Sequence, residues 1–155
     1  MMWTAVVFAV IAAQSVADPL LARLEGHWAG EGTVLSRPSA LQMEWAWALD
    51  EQFLELRFRN EMGGSAATRF EGRAFYRATG EGRYRGFWID NSGAIRPIDA
   101  RREGDALVSA WGTPDTEMGE TTYRLVGDTR LEVTDRVRQR DGSWRTFGQS
   151  VLMKR

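Results

Sequence analysis

Glu25-Gly-His-Trp-Ala-Gly-Glu-Gly32 marks the point where a short apolar helix gives way to the first of a long series of strands. Upstream, Asp18 is placed to cap a helix, Pro19 suits its first position, and Leu20, Leu21 and Leu24 recur at helical spacing before Gly26 ends it. A helix this short is not stable alone, so its leucine face must rest on a larger body. Trp28 is the one large aromatic among glycines that permit close backbone approach. The arrangement predicts a β-barrel whose first strand starts here, with Trp28 plugging one end and the helix lying across it.

Downstream, turn chemistry recurs at regular intervals. Breaks fall at Ser36–Ser39, Asp50-Glu51, Met62–Ser65, Thr79–Gly82, Asn91–Gly93, Glu103–Asp105, Gly112–Asp115, Gly127-Asp128 and Asp141-Gly142. Nine breaks make ten segments, most of strand length and none helical. The fold class is therefore all-β, a single antiparallel up-and-down barrel of about ten strands, closed because closure removes exposed edges.

Alternation assigns the inward faces. One strand turns Leu41, Met43, Trp45, Trp47 and Leu49 to the same side, against Gln42 and Glu44. The next sets Leu54, Leu56 and Phe58 against Glu55, Arg57 and Arg59, and the following one Phe70, Gly72, Ala74 and Tyr76 against Arg69, Glu71, Arg73 and Arg77. Tyr84 and Trp88, then Trp111, then Thr121, Tyr123 and Leu125 continue the inner wall, and Leu131, Val133 and Val137 complete it. Either parity fits residues 95–102 and 144–153, where a one-residue bulge would flip the assignment.

A chain of 155 residues suits one domain with its own core. It has no cysteine, which excludes disulfides, thiolate metal sites and a lipidated cysteine anchor. A net charge of −1 with scattered arginines excludes the basic patch of a nucleic-acid binder. Residues 1–16 carry no charged side chain and include the apolar run Ala5–Ala13, too short to span a bilayer. Ser15-Val16-Ala17 then presents small residues where an exporting peptidase reads. Residues 1–17 are thus expected to be a signal peptide and 18–155 a periplasmic or secreted barrel, with no membrane association after cleavage; an uncleaved anchor is the alternative.

Gly26-His27-Trp28 resembles the G-x-W signature of lipocalins, and Gly26, Trp28, Gly30 and Gly32 resemble the G-x-W-x-G-x-G start of nitrobindin-like barrels. The chain thus resembles the calycins, and Gly72 to Gly112 and Glu117 to Gln149 resemble a bacterial family of exported proteins described as domain of unknown function 1579. The nitrobindin resemblance implies haem held by a histidine near the C-terminus. This chain departs from that pattern, because its single histidine is His27, on the opposite parity from Trp28 and so facing outward. No cofactor is expected.

The inward assignments describe an aromatic cavity suited to a small apolar ligand: Trp45, Trp47, Phe58, Tyr76, Trp88, Trp111 and Tyr123, with Asp135 as the polar member. Asp135 interrupts an otherwise apolar face, where an uncompensated carboxylate is costly, so an arginine such as Arg96 or Arg124 is expected beside it. Asn60, Asp90 and Thr121 are the remaining inward polar groups, Asp90 being explained by its turn and Asp99 being free to pair with Arg96 or Arg101. No cysteine and an outward histidine leave no catalytic triad and no His/Cys zinc site. Three readings follow: a non-enzymatic ligand-binding barrel, an isomerase or hydratase using Asp135 and Tyr123 on a hydrophobic substrate, or a solid-cored interaction module meeting a partner through Gly112 to Glu120.

Overall fold

A computed structural model describes residues 18–64 and 67–155, so the expected signal peptide lies outside the described residues. Helix α1 (Pro19–Leu24) leads into ten strands: β1 (Gly26–Val34), β2 (Arg37–Ala48), β3 (Phe53–Met62), β4 (Thr68–Gly80), β5 (Arg83–Asp90), β6 (Ile95–Glu103), β7 (Ala106–Trp111), β8 (Gly119–Val126), β9 (Arg130–Arg138) and β10 (Trp144–Lys154). Each pairs antiparallel with its sequence neighbour, and β1 pairs with β10 to close the barrel. This is the expected all-β up-and-down architecture.

One end is sealed from the sequence upward. Asp18 Oδ1 accepts from the backbone N–H of Leu20 at 2.9 Å and Leu21 at 3.2 Å, which caps α1, while its Oδ2 accepts from the Tyr84 hydroxyl at 3.0 Å. Leu20, Leu21 and Leu24 are fully buried. Trp28, 1% exposed, donates its indole N–H to the Leu24 carbonyl at 2.8 Å. Arg23 bonds Asp105 and Asp128 from loops at the same end. Lys154 closes the circuit: its ammonium lies 5.1 Å from the Trp28 ring centroid and bonds the Arg23 carbonyl.

The glycines of the opening stretch permit the close approach expected of them. A Cβ on Gly30 would stand 1.9 Å from the Val151 carbonyl oxygen, and one on Gly32 2.2 Å from that of Gln149 and 2.4 Å from Ser150 Oγ. They admit the backbone of β10 and, at Gly32, the Ser150 side chain. Gly26 has φ +125°, a conformation that excludes side-chain-bearing residues.

Parity holds along the central strands and fails at their ends. Leu49 is 69% exposed, because the chain turns there with φ +52° and carries it out of β2. The first hairpin turn is Leu35-Ser36 alone, and Pro38 and Ser39 lie within β2 where a longer break was expected. Thr79 and Gly80 likewise extend β4. On β6 the even positions Arg96, Ile98 and Ala100 face inward. On β10 a register shift between Thr146 and Gly148 turns Gly148, Ser150 and Leu152 inward.

The lower half, above α1, is packed by Trp45, Tyr84, Leu54, Leu107 and Leu131. The upper half is hollow. It opens among the turns opposite α1, at Leu35, Met62, Ser92, Glu117 and Phe147.

Candidate functional site

The upper half encloses a cavity of about 290 Å³, at the lower end of volumes that hold small molecules. Two glycines create its walls. The Trp88 ring lies over Gly72, where a Cβ would approach its Cζ2 to 2.1 Å, and the Trp111 ring lies over Gly119, with the corresponding distance 2.0 Å. Each indole is thereby pressed flat on the sheet. Phe58 and Phe70 join Trp88, with ring centroids 5.9 and 6.1 Å from it.

Both indoles then organise polar groups. Trp88 Nε1–H donates to Asp90 Oδ2 at 2.8 Å, and Arg96 reaches the same oxygen at 3.3 Å. Burial pushes the Asp90 carboxyl up, but hydrogen bonds from Ser92 and Trp88 outweigh it and hold its pKa below the usual value. Across the cavity Trp111 Nε1–H donates to Thr121 Oγ1 at 3.3 Å, and the Thr121 hydroxyl donates in turn to Asp135 Oδ1 at 2.7 Å. Tyr76 and Ser109 hydroxyls bond at 2.9 Å beside Tyr123.

Asp135 overturns the expectation of a buried ion pair. Among the described residues Thr121 is its hydrogen-bond partner and no arginine pairs with it. Arg96 goes to Asp90 and to Glu117 at 3.7 Å, and Arg124 is exposed on β8. Asp99 gains neither expected partner, since Arg101 bonds Glu103 and Glu120. The Asp135 carboxyl sits among interior side chains, touched by solvent only through the cavity, and burial pushes its pKa up to about 6 against the pull of Thr121. Burial also raises Tyr76 to about 12 and Tyr123 well above its usual value, so both phenols are neutral near pH 7.

A second orphan faces the same space. Asn60 is 2% exposed, lines the cavity, and its side-chain oxygen has no hydrogen-bond partner among the described residues. Such a group is costly to bury and is normally satisfied.

Of the eight residues read as ligand-contacting, Phe58, Tyr76, Trp88, Trp111, Tyr123 and Asp135 border the cavity. Trp45 and Trp47 do not. Trp45 is packed beneath it, its ring 5.1 Å from Tyr123 and at 90° to it, and Trp47 packs on the core. The single-strand parity that grouped them was right, but their depth along the barrel axis carries no sequence signal. Arg96 and Ser109 also stand in the wall, beyond the residues expected there. Ser109 was accessible from its parity with Trp111, whereas Arg96 lay on the strand of undecided parity.

Outside the barrel, His27 is exposed. A larger hollow of about 670 Å³ runs over the outer wall between His27 and Arg73, but it is open and crossed by exchanged Arg–Glu pairs such as Arg59–Glu71 and Arg57–Glu44. The exposed large apolar side chains are scattered, with Leu35 and Leu49 in turns, Phe87 and Ile89 on β5, Ile95 on β6, Val126 on β8 and Trp144, Val151 and Met153 on β10, and none lies on the Gly112 to Glu120 loop. Among the described residues no cluster of three His, Cys, Asp or Glu side chains could hold a metal ion, and no helix is long and apolar enough to cross a membrane.

No known family profile matches the chain, and no curated protein is similar to it in sequence. Its fold is shared with solved structures. Rv2717c from M. tuberculosis superposes with a TM-score of 0.65 at 15% identity, over 88% of this chain and 98% of that one. EF1p2_mFAP2b bound to DFHBI superposes with a TM-score of 0.50 at 9% identity, over 86% of this chain and 95% of that one. These likenesses show that the closed antiparallel up-and-down barrel is a fold this chain shares with them.

Proposed function

We propose that this protein is a non-enzymatic barrel that binds a small, apolar-bodied molecule in its upper cavity. The observation that carries the reading is a pair of polar groups, Asn60 Oδ1 with no hydrogen-bond partner among the described residues and the Asp135 carboxyl with no basic side chain paired to it, facing an aromatic cavity that its own side chains do not fill. Folding alone gains nothing from such groups, whereas a ligand that pairs with them recovers their desolvation cost. EF1p2_mFAP2b, a barrel of the same fold, is bound to DFHBI, which agrees with small-molecule binding by such a barrel. The apolar run Ala5–Ala13 and the Ser15-Val16-Ala17 cleavage pattern support export to the periplasm or beyond. The resemblance to the exported family of domain of unknown function 1579 points the same way.

Titration with a panel of one- and two-ring hydrophobes, read by indole fluorescence, tests the reading. Saturable quenching at one site per chain is expected. Absence of saturable binding across the panel would remove it.

One observation favours an isomerase or hydratase as a second reading: Asp135 is not locked to an arginine and lies in the same wall as Tyr123. That reading requires proton exchange into an enolisable hydrophobic ketone, abolished by Asp135→Asn.

A further inference from the structure

We infer that the ligand of this cavity is an organic cation, an aryl-alkyl ammonium whose ring lies between the tryptophans and whose charge meets Asp135. The inference rests on the binding reading above and deepens it. Its first support is a charge count. The ionisable groups bordering the cavity, apart from the two neutral phenols, are Asp90, Arg96, Glu117 and Asp135, three acids against one base. Arg96 is already shared by Asp90 at 3.3 Å and Glu117 at 3.7 Å. Asp135 therefore has no counter-charge among the described residues, and an interior carboxylate without one is costly.

The second support is that the cavity already displays the recognition mode. The Arg96 guanidinium lies 5.6 Å from the Trp111 ring centroid while bonding acids on either side, so a cation held by an aromatic face and carboxylates is built into the mouth. Asp135 lines the same cavity as Trp111 and Tyr123, and no basic side chain pairs with it among the described residues.

The third is the acceptor left open on Asp135. Gly148 stands opposite it, and the missing Cβ leaves the room that the carboxyl occupies, since a Cβ there would lie 2.7 Å from Asp135 Oδ2. Oδ1 is taken by Thr121, whose single proton is thereby committed, so Oδ2 is the free acceptor. Asn60, on β3 across the barrel, supplies a further acceptor oxygen for an N–H donor. Two acceptors and an excess of negative charge select against anions, and the small volume limits the body to one or two rings.

The groups facing Asp135 are Thr121 from β8 and Gly148 from β10, with Tyr76 and Tyr123 neutral beside it and Asp90, Arg96 and Glu117 as the charged residues of the same cavity. Asp135 is accordingly the group whose ionisation sets the cation's affinity.

The test compares naphthylethylamine with naphthylethanol, which share a body and differ in charge, by calorimetric titration of the full chain. At about pH 8 the amine should bind about tenfold or more tightly than the alcohol, and at about pH 5 that advantage should shrink as Asp135 takes up a proton. Asp135→Asn should lower the amine-to-alcohol affinity ratio by about tenfold. The pH series on the unaltered protein carries the test even if the variant folds poorly. Equal or tighter binding of the alcohol at about pH 8, or a ratio indifferent to both pH and Asp135→Asn, overturns the cation inference and leaves the binding reading standing. No binding of either compound overturns the cation inference, while the binding reading stands or falls on the hydrophobe panel.

Discussion

Replacing Asp135 with Asn should stabilise the protein at neutral pH and do nothing in acid. In the fold its carboxyl pKa is moved from 3.8 to about 6, chiefly by burial. Between those values the folded chain holds a proton that the unfolded chain has released, so stability falls as pH rises through this window and the cost is complete above it. A shift of about two units corresponds to about 3 kcal/mol, a ceiling because solvent reaches the group through the cavity. Asn keeps an acceptor oxygen for Thr121, so the Trp111–Thr121–Asp135 chain retains its geometry. Urea unfolding of both proteins between about pH 4 and pH 8 measures the gap. The variant should match the unaltered protein near pH 4 and exceed it by up to about 3 kcal/mol near pH 8. A variant less stable near pH 8, or a gap independent of pH, would refute the argument that the carboxylate lies unpaired.

Two further substitutions probe the ends of the barrel. Trp28→Ala removes a ring that is 1% exposed and holds the Leu24 carbonyl; it should cost about 3–5 kcal/mol, read as the urea midpoint, and a loss under about 1 kcal/mol would mean the helix end is not sealed by this residue. Gly119→Val sets a side chain against the Trp111 ring, where a Cβ would be 2.0 Å from Cζ2. It should destabilise by about 1–3 kcal/mol through overpacking and weaken hydrophobe binding by driving the indole into the cavity. Unchanged binding would show that the Trp111 position is irrelevant to the site.

The barrel was legible because its signals are local. Turn residues punctuate the chain, and Leu54–Leu56–Phe58 against Glu55–Arg57–Arg59 needs only period two to orient. The helix cap at Asp18 and the plug at Trp28 were legible for the same reason. What escaped was set by contacts between distant segments. The bulge at Phe147 decides the face of β10, and the pairing of β10 with β1 decides what approaches Gly30 and Gly32. Arg96, the candidate for Asp135 that lines the same cavity, is taken by Asp90, six residues before it in sequence and two beyond Trp88, which pairs with Arg96 across β5 and β6. No pattern on β9 reveals that. Trp45 and Trp88 carry the same alternation, yet one lies under the cavity and the other in its wall, because depth along the axis depends on strand stagger around the whole ring.

The central claim, that the upper cavity is a ligand site, is tested most directly by following indole N–H resonances in a proton–nitrogen correlation spectrum during titration with naphthylethylamine. Trp88 and Trp111 border the cavity, whereas Trp28 is sealed at the far end and Trp144 lies outside between Arg136 and Arg138. Saturable shifts of the Trp88 and Trp111 signals are expected, with those of Trp28 and Trp144 unmoved. Shifts confined to Trp144, or all four signals stationary at saturating ligand, would contradict it.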